Sequence, residues 1–149
     1  GVGAPLSERP APLPVGQGEW LRPGQDAVIV ALGSRVWPAR EAAEEIEAAT
    51  GKSVAVYNAR FVKPLPRQDL LDVAARYERI VLAEENALAG GFGSAVLELW
   101  ADEGVWRGQR VRRVGLPDAF VEQGAPKLLR QRAGVDKGAI RQALADLLA

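Results

Sequence analysis

Two adjacent carboxylates, Glu84 and Glu85, stand with Asn86 at the end of a short apolar run, and the glycines Gly90, Gly91 and Gly93 follow just before a helical pattern begins. Carboxylates can move protons or hold a metal, and a glycine-rich turn feeding a helix can cradle an anion on the free N–H groups of its first turn. The run from Ser94 to Trp100 has helical spacing, with Val96, Leu97 and Trp100 able to share a face. As a motif, Gly91-Phe92-Gly93-Ser94-Ala95-Val96 reads G-x-G-x-x-V. It lacks the third glycine of the dinucleotide fingerprint, and it follows the third buried strand of the pattern instead of the first. The favoured reading is therefore structural: the glycines let a helix pack tightly on the sheet or against a partner chain. Glu84 and Glu85 make no acid/base pair by themselves, because neighbours on an extended segment point to opposite sides.

A second polar cluster is Asn58-Ala59-Arg60-Phe61-Val62-Lys63-Pro64-Leu65. Arg60 or Lys63 could grip a phosphate, since a guanidinium fork matches phosphate oxygens. The competing expectation, which we favour, is an ion pair from Arg60 to Glu84 or Glu85 that fixes loops or an interface, because two acids nearby would oppose a bound anion. Asp118, after Leu116-Pro117, reads as a turn or helix-cap residue, and Gln123 and Gly124 shape the loop that follows. Arg107, Arg110, Arg112 and Arg113, broken by Val111 and Val114, read as the wet face of a strand. There is no His and no Cys, which removes the usual neutral-pH base, thiolate chemistry and the commonest transition-metal ligands. No P-loop or metal-ligand spacing occurs, so no catalytic, cofactor-binding or metal residue is assigned.

The elements that must position these residues follow from the apolar pattern. Strands are expected at Ala27 to Leu32, Ser53 to Tyr57, Arg79 to Ala83 and Arg110 to Gly115. Helices are expected at about Trp37 to Thr50, Arg67 to Tyr77, Gly93 to Asp102, Ala125 to Ala133 and Asp136 to Leu148. Pro38 is expected at the first helical position and Gly51 just beyond the last turn. Long helices between buried strands require crossovers. The fold class is thus α/β, a three-layer sandwich with a mostly parallel sheet of four to five strands and helices on both faces. Residues 1–24, dense in proline and glycine, read as a linker or strap from a preceding domain, with Glu19-Trp20-Leu21 as a short edge strand and Trp20 as its anchor; 25–149 form the domain. Nineteen basic and nineteen acidic residues cancel, so no field draws nucleic acid, and no apolar run approaches a membrane span. A cytoplasmic protein is the expectation. The lack of Met, even at position 1, suggests a chain that starts inside a longer reading frame or after processing.

Four segments taken together carry a resemblance: Val28 to Gly33, Asn58 to Leu65, Glu84 to Val96, and Gly115-Leu116-Pro117-Asp118-Ala119-Phe120-Val121-Glu122-Gln123-Gly124. In order and spacing they resemble the C-terminal domain of the transketolase-like thiamine diphosphate enzymes, and most closely the branch that makes 1-deoxy-D-xylulose 5-phosphate. Transketolases proper and the β-subunits of 2-oxo acid dehydrogenases fit Arg60-Phe61-Val62-Lys63-Pro64 less well. The resemblance implies a parent that condenses pyruvate with glyceraldehyde 3-phosphate on thiamine diphosphate and magnesium, for isoprenoid, thiamine and pyridoxal synthesis. In the family a Gly-Asp-Gly motif of the N-terminal domain and a glutamate of the middle domain hold the cofactor; no Gly-Asp-Gly occurs here, and the family's histidines have no counterpart. The chain alone is therefore expected to bind no cofactor and to be inactive, with the parent's N-terminal and middle domains and a second copy, in a homodimer, as partners. Arg60, Phe61, Lys63, Glu84, Glu85, Asn86, Gly90, Gly91, Phe92, Gly93 and Asp118 are the interface or structural residues so implied. The alternatives are a free-standing α/β module holding a nucleotide or small phosphorylated ligand, or the equivalent domain of another transketolase-like enzyme.

Overall fold

The computed structural model describes residue 8 and residues 11–149; of the strap expected over 1–24, residues 1–7, 9 and 10 lie outside the described residues. Five strands form one sheet: β1 (Glu19–Arg22), β2 (Ala27–Ala31), β3 (Val54–Asn58), β4 (Arg79–Ala87) and β5 (Arg110–Leu116), in the order β1-β3-β2-β4-β5. Strands β2 to β5 run parallel, and β1 alone is antiparallel, with Glu19 opposite Asn58. The helices are α1 (Val36–Thr50), α2 (Arg67–Arg76), α3 (Phe92–Asp102), α4 (Pro126–Arg132) and α5 (Lys137–Leu148).

Alternation along each strand sorts the core into two layers. Ile29, Val56, Val81 and Val114 turn to one face and meet Ile46 of α1 with Ile140, Leu144 and Leu147 of α5. Val28, Val30, Tyr57, Ile80 and Leu82 turn to the other and meet Leu70 and Val73 of α2 with Phe92, Val96 and Trp100 of α3. The indole Nε1 of Trp100 donates to Leu70 O at 2.9 Å, so α2 and α3 are joined by a satisfied polar contact inside apolar packing. The expected three-layer α/β sandwich is what forms.

Two local departures have simple causes. A 3-10 turn at Gly33–Arg35 leads directly into α1, which therefore begins at Val36, and Pro38 falls at its third position instead of its first. That placement costs no hydrogen bond, because the first four N–H groups of a helix lack intrahelical acceptors wherever in that turn the proline sits. Strand β4 continues past Ala83 to Ala87, because Leu88 N donates to Leu116 O at 2.8 Å and keeps the chain beside β5. Gly51 closes α1 with φ 72°, the left-handed conformation that a Cβ would penalise. Trp20 fastens the strap: its ring lies 4.9 Å from that of Tyr57, and the Arg76 guanidinium sits 5.5 Å from it.

Candidate functional site

The turn between β4 and α3 is where a ligand would be sought first, and Glu84 fills it. Its side chain is 1% exposed, and its two carboxylate oxygens accept from Phe92 N at 2.6 Å and Gly93 N at 2.7 Å, with Asn86 Nδ2 donating at 3.1 Å. The protein thus supplies its own anion to the N-terminus of α3, where both the free N–H groups and the helix dipole favour negative charge. The turn above is equally self-contained. Gly90 N donates to Ser94 Oγ, Ser94 Oγ donates to Leu88 O, and Arg113 donates to both acceptors at 2.7 and 3.0 Å.

A doubly wound sheet offers a second position, the crevice where the loops after β2 and β4 leave toward opposite faces. Here that crevice holds Glu85. Glu85 points away from Glu84, as alternation requires, and accepts from Ser34 Oγ, from Arg35 NH2 at 3.2 Å and from Arg130 Nε at 2.8 Å. Arg35 is buried and also donates to Val135 O, so one guanidinium ties the end of β2 to the segment entering α5. Burial pushes the Glu85 carboxyl up, but hydrogen bonds from Arg130 and Ser34 and the charges of Arg35 and Arg130 outweigh it and hold the group below its ordinary range. Burial lowers the Arg35 guanidinium, the Glu85 charge opposing.

A carboxyl depressed on folding contributes stability that is present above its unfolded pKa and is lost as pH falls through the folded one. Glu85→Gln is therefore expected to cost about 1–2 kcal/mol at neutral pH, since it leaves the buried Arg35 without its anion. The gap to wild type should close as acid protonates Glu85. Denaturant titrations from pH 7 down to pH 3 check this, and a gap independent of pH would show that the charge contributes nothing.

The structure separates residues that the sequence grouped. Arg60 does not reach Glu84 or Glu85; it pairs with Glu19. The reason is strand order, since β2 lies between β3 and β4, and Arg60 itself adopts φ 59° in a turn closed by Arg60 N donating to Asn58 Oδ1 at 3.1 Å. Phe61 is half-buried and Lys63 exposed in the loop that follows. Phe92 is wholly inside the core, not on a surface. Asp118 lies in an exposed bend and caps no helix; Ala125 precedes α4, and the capping carboxylate of α5 is Asp136, which accepts from Ala139 N at 3.0 Å. Gly124 approaches Leu129 from the loop. Arg130 and Arg35 were missed as partners of Glu85; they lie 45 and 50 residues from it, and only strand order brings them together.

These residues do not fit thiamine diphosphate with magnesium. No group of three possible metal ligands gathers among the described residues, and the helix N-terminus that would take a diphosphate is covered by the Glu84 carboxylate. Among the described residues, no helix is long and apolar enough to cross a membrane.

The mostly parallel five-stranded sheet, edged by an antiparallel strand, has a counterpart in a known family. Residues 16–140 match the transketolase C-terminal domain, and the chain belongs to that family. Within it, the chain is 52% identical over all 149 residues to the C-terminal part of 1-deoxy-D-xylulose-5-phosphate synthase of Nitratidesulfovibrio vulgaris, and 51% identical over 148 residues to the synthase of Oleidesulfovibrio alaskensis. It spans 23% of the length of each. Among solved structures, a split-gene transketolase solved as an inactive tetramer superposes with a TM-score of 0.82 at 33% identity, over 91% of this chain and 43% of that one. Transketolase of Campylobacter jejuni shares the fold, with a TM-score of 0.60 at 18% identity over 88% of this chain and 18% of that one.

Proposed function

We propose that this chain is the C-terminal domain of a 1-deoxy-D-xylulose-5-phosphate synthase and that its task is structural. The parent joins the two-carbon unit left when pyruvate loses carbon dioxide to glyceraldehyde 3-phosphate, in the cytoplasm, with thiamine diphosphate and magnesium held by the preceding domains. The domain completes the fold of the parent and contributes to a homodimer. The observation that carries the reading is the double closure: Glu84 occupies the α3 N-terminus and Glu85 the strand crevice, so each place where this topology receives a ligand is used for the domain's own cohesion. That closure also weighs against the free-standing nucleotide or phosphate module. The strap, the loop Arg60 to Lys63 and the exposed segment around Phe120 remain to face the rest of the parent.

The test is a paired assay of carbon dioxide release and carboligation from pyruvate and glyceraldehyde 3-phosphate with thiamine diphosphate and magnesium. The full product of the source gene is expected to turn over, and the purified 149-residue chain to show no turnover and no calorimetric signal with thiamine diphosphate. Carboligation by the chain alone, or a source gene whose product is no longer than this chain, would overturn the proposal.

A further inference from the structure

We infer that the edge of the sheet at the carboxyl ends of the strands is the surface covered by the preceding part of the same polypeptide, with Phe120 as its apolar anchor. The inference rests on the reading of this chain as the last quarter of a longer enzyme and says which face meets the rest. Apart from Trp20 and Trp106, every large apolar side chain exposed among the described residues stands at this end: Leu13, Val15, Trp37, Val62, Phe120, Val121 and Leu128. Phe120 has no cover at all, and behind it lies a cavity of about 290 Å³ walled by Pro117, Val121, Leu129 and Ala133. Isolated apolar residues on a surface are ordinary, but a concentration of them at one end marks a contact.

The helix beside this cavity points the same way. Each other helix buries several of its residues, whereas α4 buries none. A helix of seven residues does not hold itself in water, so most of its support must come from packing. Its ties to the rest are the ion pair from Arg130 to Glu85 and the half-buried Leu129 beside Gly124. Leu128 and Phe120 remain turned outward, available to a covering surface.

The occupant follows from where the strap runs. Because β1 is antiparallel to β3 and Glu19 stands opposite Asn58, the chain arrives at β1 from the carboxyl end of β3, and Gly16 lies against Pro64 there. The described part of the strap thus enters the domain beside this edge, which favours it as the side that meets whatever precedes. A tether of this kind gives the preceding part a local concentration in the millimolar range, which a second copy does not have. The relatives supply the size of that part, since this chain spans only 23% of their length.

The test uses the full product of the source gene. Cross-linking with an amine-reactive reagent on a mixture of isotopically light and heavy protein should join Lys63 and Lys127, which flank this edge, to the preceding part within one copy. Lys52, at the opposite edge between α1 and β3, should give no such links. In hydrogen exchange, residues 117–130 should be protected at least tenfold over the exposed loop 104–108, and Phe120→Asp should remove that protection while leaving β3 unchanged. Links from Lys52 alone, exchange at 117–130 as fast as at 104–108, or links from Lys63 and Lys127 only between light and heavy copies would overturn the inference; the last would assign the edge to a second copy. An active synthase with any of these results refutes this inference and leaves the proposed function standing, whereas a source gene product that is long but has no carboligase activity refutes the function.

Discussion

Glu84→Ala is expected to lower the unfolding free energy by about 3–5 kcal/mol, a large share of the ~5–15 kcal/mol that holds a domain of this size. The carboxylate is buried and accepts from Phe92 N and Gly93 N at 2.6 and 2.7 Å. Removing it leaves two buried N–H groups with no acceptor, at about 1–3 kcal/mol each, and takes an anion from the positive end of α3. The buried position of Phe92 and Gly93 leaves little room for water to substitute. Glu84→Gln separates the two contributions. It keeps the volume and one acceptor oxygen but sets an NH2 group against an N–H, so about 2–3 kcal/mol should be lost. Urea titration followed by circular dichroism measures both. A loss below 1 kcal/mol for Glu84→Ala would mean that water replaces the carboxylate, and would return the α3 N-terminus to the class of open anion sites.

The same carboxylate shows how far a single sequence can be read. Strand and helix limits were legible to within a few residues because each is set by local composition: apolar β-branched runs such as Val28-Ile29-Val30, a glycine after Thr50, polar residues between them. Strand order was not legible. The apolar runs of β2, β3 and β4 are chemically alike, and nothing in them says that β2 lies in the middle. The expected pair from Arg60 to Glu84 or Glu85 failed for that reason, and Arg60 instead meets Glu19 of the strap. Alternation did show that Glu84 and Glu85 face opposite ways, and the pattern also showed that acids at this turn oppose a bound anion. What no local pattern shows is that one of those acids is the anion. Phe92 illustrates the converse, because a phenylalanine flanked by glycines reads equally as a surface anchor or as a core residue, and packing decides for the core.

Gly91→Ala is the other substitution with a large expected effect, at least about 3 kcal/mol, and its cause is space instead of backbone conformation. Gly91 has φ −80°, which any residue adopts, yet a Cβ there would stand 2.1 Å from Ala87 O and 2.6 Å from Glu84 Oε2. Ala87 belongs to β4, so its carbonyl cannot yield without moving the strand end, and the Glu84 oxygen cannot yield without releasing Phe92 N. Gly90 is the control with the opposite cause. It has φ 71° and nothing within 4 Å of an added Cβ, so Gly90→Ala should cost about 1–2 kcal/mol and Gly90→Asn less. A double-mutant cycle then tests the geometry directly. Removing the Glu84 side chain relieves one of the two clashes, so Gly91→Ala should cost about 1 kcal/mol less in the Glu84→Ala background than in wild type. The clash with Ala87 O remains in both. Strict additivity of the two substitutions would show that the turn does not press Gly91 against the carboxylate, and with it the account of how β4, the glycine turn and α3 are locked together would fail.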